Sequence, residues 1–100
     1  MTFQINNTVL NDALKSLNRV VPTRTTLPIL SCVLFSSDGE RLSVRSTNLE
    51  VSMEFSLSAE IKEPVNIAIP INKILNVTSS LKNEDLNVSI KDNFKVQIKT

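Results

Sequence analysis

The chain has no histidine, no tryptophan and no tyrosine, and only one glycine and one cysteine among its 100 residues. Without histidine, the usual general base near neutral pH is missing. One glycine cannot build a phosphate-cradling loop, and no P-loop or serine elbow is present. The lone Cys32 leaves no intramolecular disulfide and no multi-cysteine metal site, and its apolar surroundings suit a buried structural thiol. No stretch approaches the ~18 apolar residues of a membrane helix. The opening Met1-Thr2-Phe3-Gln4-Ile5-Asn6 carries neither the basic cluster nor the apolar run of a signal peptide. A cytoplasmic protein without membrane contact is therefore expected, and the Asn-x-Ser/Thr triplets at Asn6, Asn76 and Asn87 read as chance matches. Net charge is +1, with no basic or acidic tail, so any surface for a polyanion must be local.

Hydrophobic residues make up 41% of the chain, enough for one core and one domain. Strict alternation at Val51, Met53, Phe55, Leu57 and Ala59 predicts a strand with one wet face. Leu86, Val88 and Ile90 predict another, and Phe94, Val96 and Ile98 a third, joined by a short connection at Lys91-Asp92-Asn93. Asp38-Gly39 predicts a hairpin between Ile29–Ser36 and Arg41–Thr47. Two segments shift to a period near 3.6. Val9, Leu10, Ala13, Leu14, Leu17, Val20 and Val21 form one helical stripe, capped by Asn7 or Thr8 and stopped by Pro22. Ile71, Ile74, Leu75, Thr78 and Leu81 form the other, with Lys73, Asn76 and Ser80 facing away. The predicted order is strand, helix, three strands, then strand, helix, two strands. Thr2–Asn6 and Val65–Ile69 correspond in this pattern-level repeat.

Acid pairs such as Glu60 with Glu63 and Glu84 with Asp85 fall beside turns and lysines, where solvated surface accounts for them. Glu84, Asp85 and Asp92 have no metal-motif spacing, and no cofactor or metal is expected. The basic residues are more suggestive. Lys15 and Arg19 lie opposite the first apolar stripe, Arg24 follows in a loop, and no carboxylate occurs between Ala13 and Ser37. Such a row is common on surface helices, yet it also makes a phosphate footprint. The four aromatics, Phe3, Phe35, Phe55 and Phe94, occupy strand positions that read as core, so base stacking is not expected. Contact would be with phosphates and independent of sequence.

Four segments carry a resemblance to a known family: Met1-Thr2-Phe3, Arg24-Thr25-Thr26-Leu27-Pro28-Ile29-Leu30, Thr47-Asn48-Leu49-Glu50 and Ile69-Pro70-Ile71-Asn72-Lys73. Together they make the chain similar, over nearly its whole length, to the first domain of the bacterial sliding clamps, the beta subunits of DNA polymerase III. The resemblance implies an α+β clamp-type domain of two pseudo-symmetric strand–helix–strands units, residues 1–60 and 61–100. Both helices would pack on one face of curved antiparallel sheet, with the last strand missing. It also implies a truncated chain, because a family subunit has three such domains.

The function implied is that of a ring that encircles duplex DNA and tethers the replicative polymerase, without catalytic residues of its own. Partners would be duplex DNA, and, through the full-length homodimer, the polymerase and the clamp loader. Arg24 matches the family's channel-side arginine and, with Lys15 and Arg19, would face DNA. Lys73 matches a basic position close to the subunit boundary, with Val77 beside it. Asn48 stands where aspartate is more usual in the family. Asn72 stands where a second basic residue is common, which lowers the expected charge of the channel lining. The family's pocket for partner peptides lies in later domains. The rival reading is a β-rich interaction module that binds peptides by strand addition at Phe94–Lys99, an edge on which Lys95 and Lys99 discourage promiscuous pairing.

Overall fold

The computed structural model describes residues 1–19, 32–47, 51–91 and 95–100. The Thr26–Leu30 run, Asn48 and Phe94 lie outside the described residues, as do Val20, Val21 and Pro22. The elements run β1 Thr2–Asn6, α1 Asn7–Asn18, β2 Cys32–Asp38, β3 Arg41–Thr47, β4 Ser52–Ser58 and β5 Glu60–Glu63. They continue with β6 Asn66–Pro70, α2 Ile71–Ser80, β7 Asp85–Ile90 and β8 Val96–Lys99. All recorded pairing is antiparallel, in two four-stranded sheets ordered β5-β1-β7-β8 and β4-β3-β2-β6. The first strand before each helix thus joins the sheet built mainly from the other half of the chain, which interlocks the halves.

The core lies between the inner sheet faces and the helices. Phe3, Ile5, Leu86, Val88 and Ile90 come from one sheet, and Val33, Phe35, Leu42, Val44 and Ile69 from the other. Leu10, Ala13, Leu14 and Leu17 of α1 and Ile71 and Ile74 of α2 complete it. The Phe3 and Phe35 rings meet at a centroid distance of 6.2 Å and bridge the two sheets. Side chains on a strand alternate between faces, and of the period-two residues read from sequence Leu86, Val88 and Ile90 are buried. Met53, Phe55, Leu57, Ala59 and Ile98 are partly buried against the core. Val51 and Val96, expected to face inward, are exposed where their strands begin at a sheet edge.

Element boundaries differ from the sequence reading in four places. First, α1 is capped by Asn6, whose Oδ1 accepts from the Thr8 and Val9 amides at 2.9 and 3.2 Å, rather than by Asn7 or Thr8. An N-cap must stand outside the helix with extended backbone, and Asn6 has φ −69 and ψ 131. Second, the alternation starting at Val51 does not stop at Ala59 but continues to Ile61. The chain leaves one sheet after Ser58 and re-enters as β5 in the other, so one uninterrupted pattern serves two sheets. Third, β6 is Asn66–Pro70, one residue later than Val65–Ile69, and leads straight into α2 as β1 leads into α1. Fourth, Asp38 belongs to β2 and pairs with Arg41, leaving Gly39-Glu40 as the connection. Gly39 has φ +63 there, the left-handed conformation a tight hairpin needs at its first central position.

Candidate nucleic-acid interface

Helix α1 is held at both ends, and these anchors determine where its outer face lies. At its start, the buried Asn7 donates from Nδ2 to the carbonyls of Thr78 and Lys82, both at 3.0 Å, while its amide donates to Glu84 O at 2.8 Å. Asn11 Oδ1 accepts from the Thr78 hydroxyl at 2.9 Å and the Ser79 hydroxyl at 3.2 Å. The Asn6 side chain and the Thr8 hydroxyl both reach Asn83. At its other end, the buried Ser46 hydroxyl of β3 donates to Leu17 O at 3.0 Å. The start of α1 therefore meets the end of α2, and the two helices lie side by side through a seam of amides and hydroxyls.

The seam leaves one polar face on each helix exposed. On α1 that face carries Thr8, Asp12, Lys15, Asn18 and Arg19; on α2 it carries Asn72, Lys73, Asn76, Ser79 and Ser80. Lys15 lies in the last turn of α1 and Arg19 is its C-cap, positions where the helix dipole favours a cation. Both are exposed, as expected from the helical wheel. Arg24 lies outside the described residues. Asp12 was absent from the sequence reading because the carboxylate-free window begins one residue after it. The signal was its spacing, three residues before Lys15 on the same helical face.

Lys73 stands at the margin of the polar face of α2, beside Val77. With Ile69, Pro70, Ile74, Val96 and Ile98 they line an open groove of about 380 Å³ between the helix and β8, the outer strand of its sheet. Val77 and Val96 are 39% and 36% exposed, so the groove presents apolar surface beside a lysine. A second cleft, of about 610 Å³, runs where β4 passes into β5, and Glu40, Glu60 and Asp85 are among its lining residues. Among the described residues, no group of three or more histidine, cysteine, aspartate or glutamate side chains could hold a metal ion. No helix there is long and apolar enough to cross a membrane.

Two antiparallel sheets backing a pair of helices, with a polar and partly basic outer helix face, define a clamp-type α+β domain. The family model described as "DNA polymerase III beta subunit, N-terminal domain" matches residues 1–100. The beta sliding clamp of Pseudomonas putida is 37% identical over 101 residues, covering 99% of this chain and 27% of that protein. That of Synechococcus elongatus is 31% identical over 86 residues, covering 84% and 23%. The chain thus spans about a quarter of the length of these relatives. Among solved structures, Caulobacter crescentus pol III beta superposes with a TM-score of 0.90 at 31% identity, over 99% of this chain and 27% of that one. A Bacillus subtilis DNA polymerase sliding clamp reaches a TM-score of 0.93 at 18% identity over 100% and 28%, a likeness of fold alone. The chain belongs to the family of DNA polymerase III beta subunit N-terminal domains.

Proposed function

We propose that residues 1–100 act as the first domain of a ring-shaped sliding clamp, a non-catalytic accessory subunit that keeps a DNA polymerase on its template. The observation that carries the reading is the paired-helix face. Lys15 and Arg19 stand exposed on α1, beside an α2 whose outer face holds asparagine, serine and one lysine but no carboxylate. In the proposed ring this face lines the channel, and Lys15, Arg19 and Arg24 meet phosphates. Each neutralised phosphate contributes about −0.9 to the salt slope of binding, so three give roughly −2.7, too little for stable binding by one domain. A closed ring needs no stable binding, because encirclement holds the duplex while weak contacts let it slide. Loss of retention on nicked circular duplex in the full-length Lys15→Ala/Arg19→Ala/Arg24→Ala variant, with the fold intact, is the expected result. Unchanged retention at all salt concentrations would remove these residues from the contact set.

The same reading gives the groove beside α2 to the subunit boundary of a homodimer, with Lys73 and Val77 as contact residues. Its support is the exposed apolar pair Val77 and Val96 next to the outer strand β8. Within this scheme, residues 1–60 and 61–100 are the two half-units, and the polymerase and clamp loader bind the assembled ring. Sedimentation of full-length Val77→Asp should show more monomer than wild type at equal concentration. An unaltered dimer would place the boundary elsewhere.

A further inference from the structure

We propose that Asp12 is a repulsive element in the helix face, one that holds the contact between α1 and a phosphate backbone below the strength its cations would otherwise reach. The inference rests on the reading of that face as DNA-facing. Asp12 is exposed and lies in line with Thr8, Lys15 and Arg19, at spacings of four, three and four residues along one helix. At a rise of about 1.5 Å per residue, it stands roughly 4.5 Å along the axis from Lys15 and about 10.5 Å from Arg19. A phosphate held by Lys15 would thus lie within about 10 Å of the Asp12 carboxylate.

Two ordinary roles for a helical aspartate do not account for it. It is not a capping group, because α1 begins at Asn7, is capped by Asn6 and has no acidic residue in its first turn. Nor does it pair with Lys15: the ion pairs found among the described residues are Met1 with Glu63 and Arg45 with Glu54. In mid-helix, aspartate is also a poorer helix former than glutamate, lysine or alanine. What remains is its charge, set among cations on the outer face. Tight binding would hinder sliding, and a carboxylate in the row weakens the phosphate contacts near it. At about 10 Å through water, the repulsion amounts to roughly a factor of two in affinity, and it acts fully only at low salt, where the screening length is about 30 Å at 0.01 M.

The test uses the 100-residue chain, ¹⁵N-labelled and titrated with a 20-base-pair duplex of mixed sequence at about 0.01 M and about 0.1 M salt, where a single domain's weak binding is still readable by amide shifts. Amide shifts in α1 report the site and the dissociation constant. Asp12→Asn should bind about twofold more tightly at the lower salt, with most of the difference gone at the higher, and Asp12→Lys about fourfold more tightly at the lower. Lys15→Ala/Arg19→Ala should weaken binding and serves as the control. If the control variant weakens binding while Asp12→Asn leaves it equal or weaker, the repulsive role is overturned and the DNA-facing reading stands. If the control variant binds as wild type does, the face does not meet DNA, and both readings fail together.

Discussion

Asn7 is the residue on which the side-by-side placement of the helices depends most directly, and its replacement has a magnitude that follows from its contacts. It is 2% exposed, and Nδ2 donates at 3.0 Å to the carbonyl of the buried Thr78 and to that of the exposed Lys82. Asn7→Ala removes both bonds. The Thr78 carbonyl is left without this partner at a cost of about 1–3 kcal/mol, whereas Lys82 O can turn to water and loses about 1. One term acts in the opposite direction: Asn7 Oδ1 is itself buried and has no hydrogen-bond partner among the described residues, so its removal relieves a penalty of about 1 kcal/mol. The net is roughly 2 kcal/mol, or a fall of about 8–16 °C in melting temperature for a domain of this size.

Asn7→Asp should be worse at neutral pH, because a carboxylate would face two carbonyl oxygens. Burial there raises the folded pKa of the introduced carboxyl above its unfolded value near 3.9, so the protonated form is the one the fold accepts. The deficit is therefore greatest at pH 7 and shrinks as pH falls toward about 4, where the O–H can donate to one carbonyl. Urea unfolding of both variants at pH 7 and pH 4.5 measures this. An Asn7→Ala deficit below about 0.5 kcal/mol, or an Asn7→Asp deficit that grows on acidification relative to wild type, would refute the reasoning.

Further outcomes follow from single contacts. Asn6→Ala should cost about 1 kcal/mol by removing the cap on the Thr8 and Val9 amides, while Asn6→Asp should retain most of it, as chemical denaturation will report. In Gly39→Ala the added Cβ meets nothing within 4 Å, so only the left-handed backbone at φ +63 opposes it; a loss of about 1 kcal/mol is expected, and a larger one would mean a hidden clash. Glu63 is held below its ordinary value of 4.5, first by the Thr2 hydroxyl donating at 2.6 Å and then by the positive amino group of Met1. A lowered folded pKa stabilises the fold above the unfolded value and ceases to do so as pH falls through the folded one. Glu63→Gln should thus be slightly less stable than wild type at pH 7 and equal to it in strong acid; a gap that widens on acidification would contradict the assignment.

Sequence periodicity determined most of the elements, because burial on one face imposes a period of two on a strand and 3.6 on a helix. Most of the faces of α1 and α2, the inward residues of β4 and β7, and the exposure of Lys15, Arg19 and Lys73 were legible in that way. Val9, counted in the apolar stripe of α1, is 43% exposed, and the exposure of Val77 had no signal in the period. The register at element ends was less so. Asn6, Asn7 and Thr8 are all plausible caps in isolation, and only the point where β1 stops pairing with β7, at Asn6 opposite Asp85, decides among them. The tertiary structure alone decided what lies across space. Alternation says which face is buried but not in which sheet, so the passage from β4 to β5 was invisible within one unbroken pattern. Nor could spacing reveal that Asn7 would reach Thr78 and Lys82, 71 and 75 residues away, because hydrogen bonds between distant segments leave no period in the sequence. The pairing of the helices, and with it the surface on which Asp12, Lys15 and Arg19 stand, is set by those contacts.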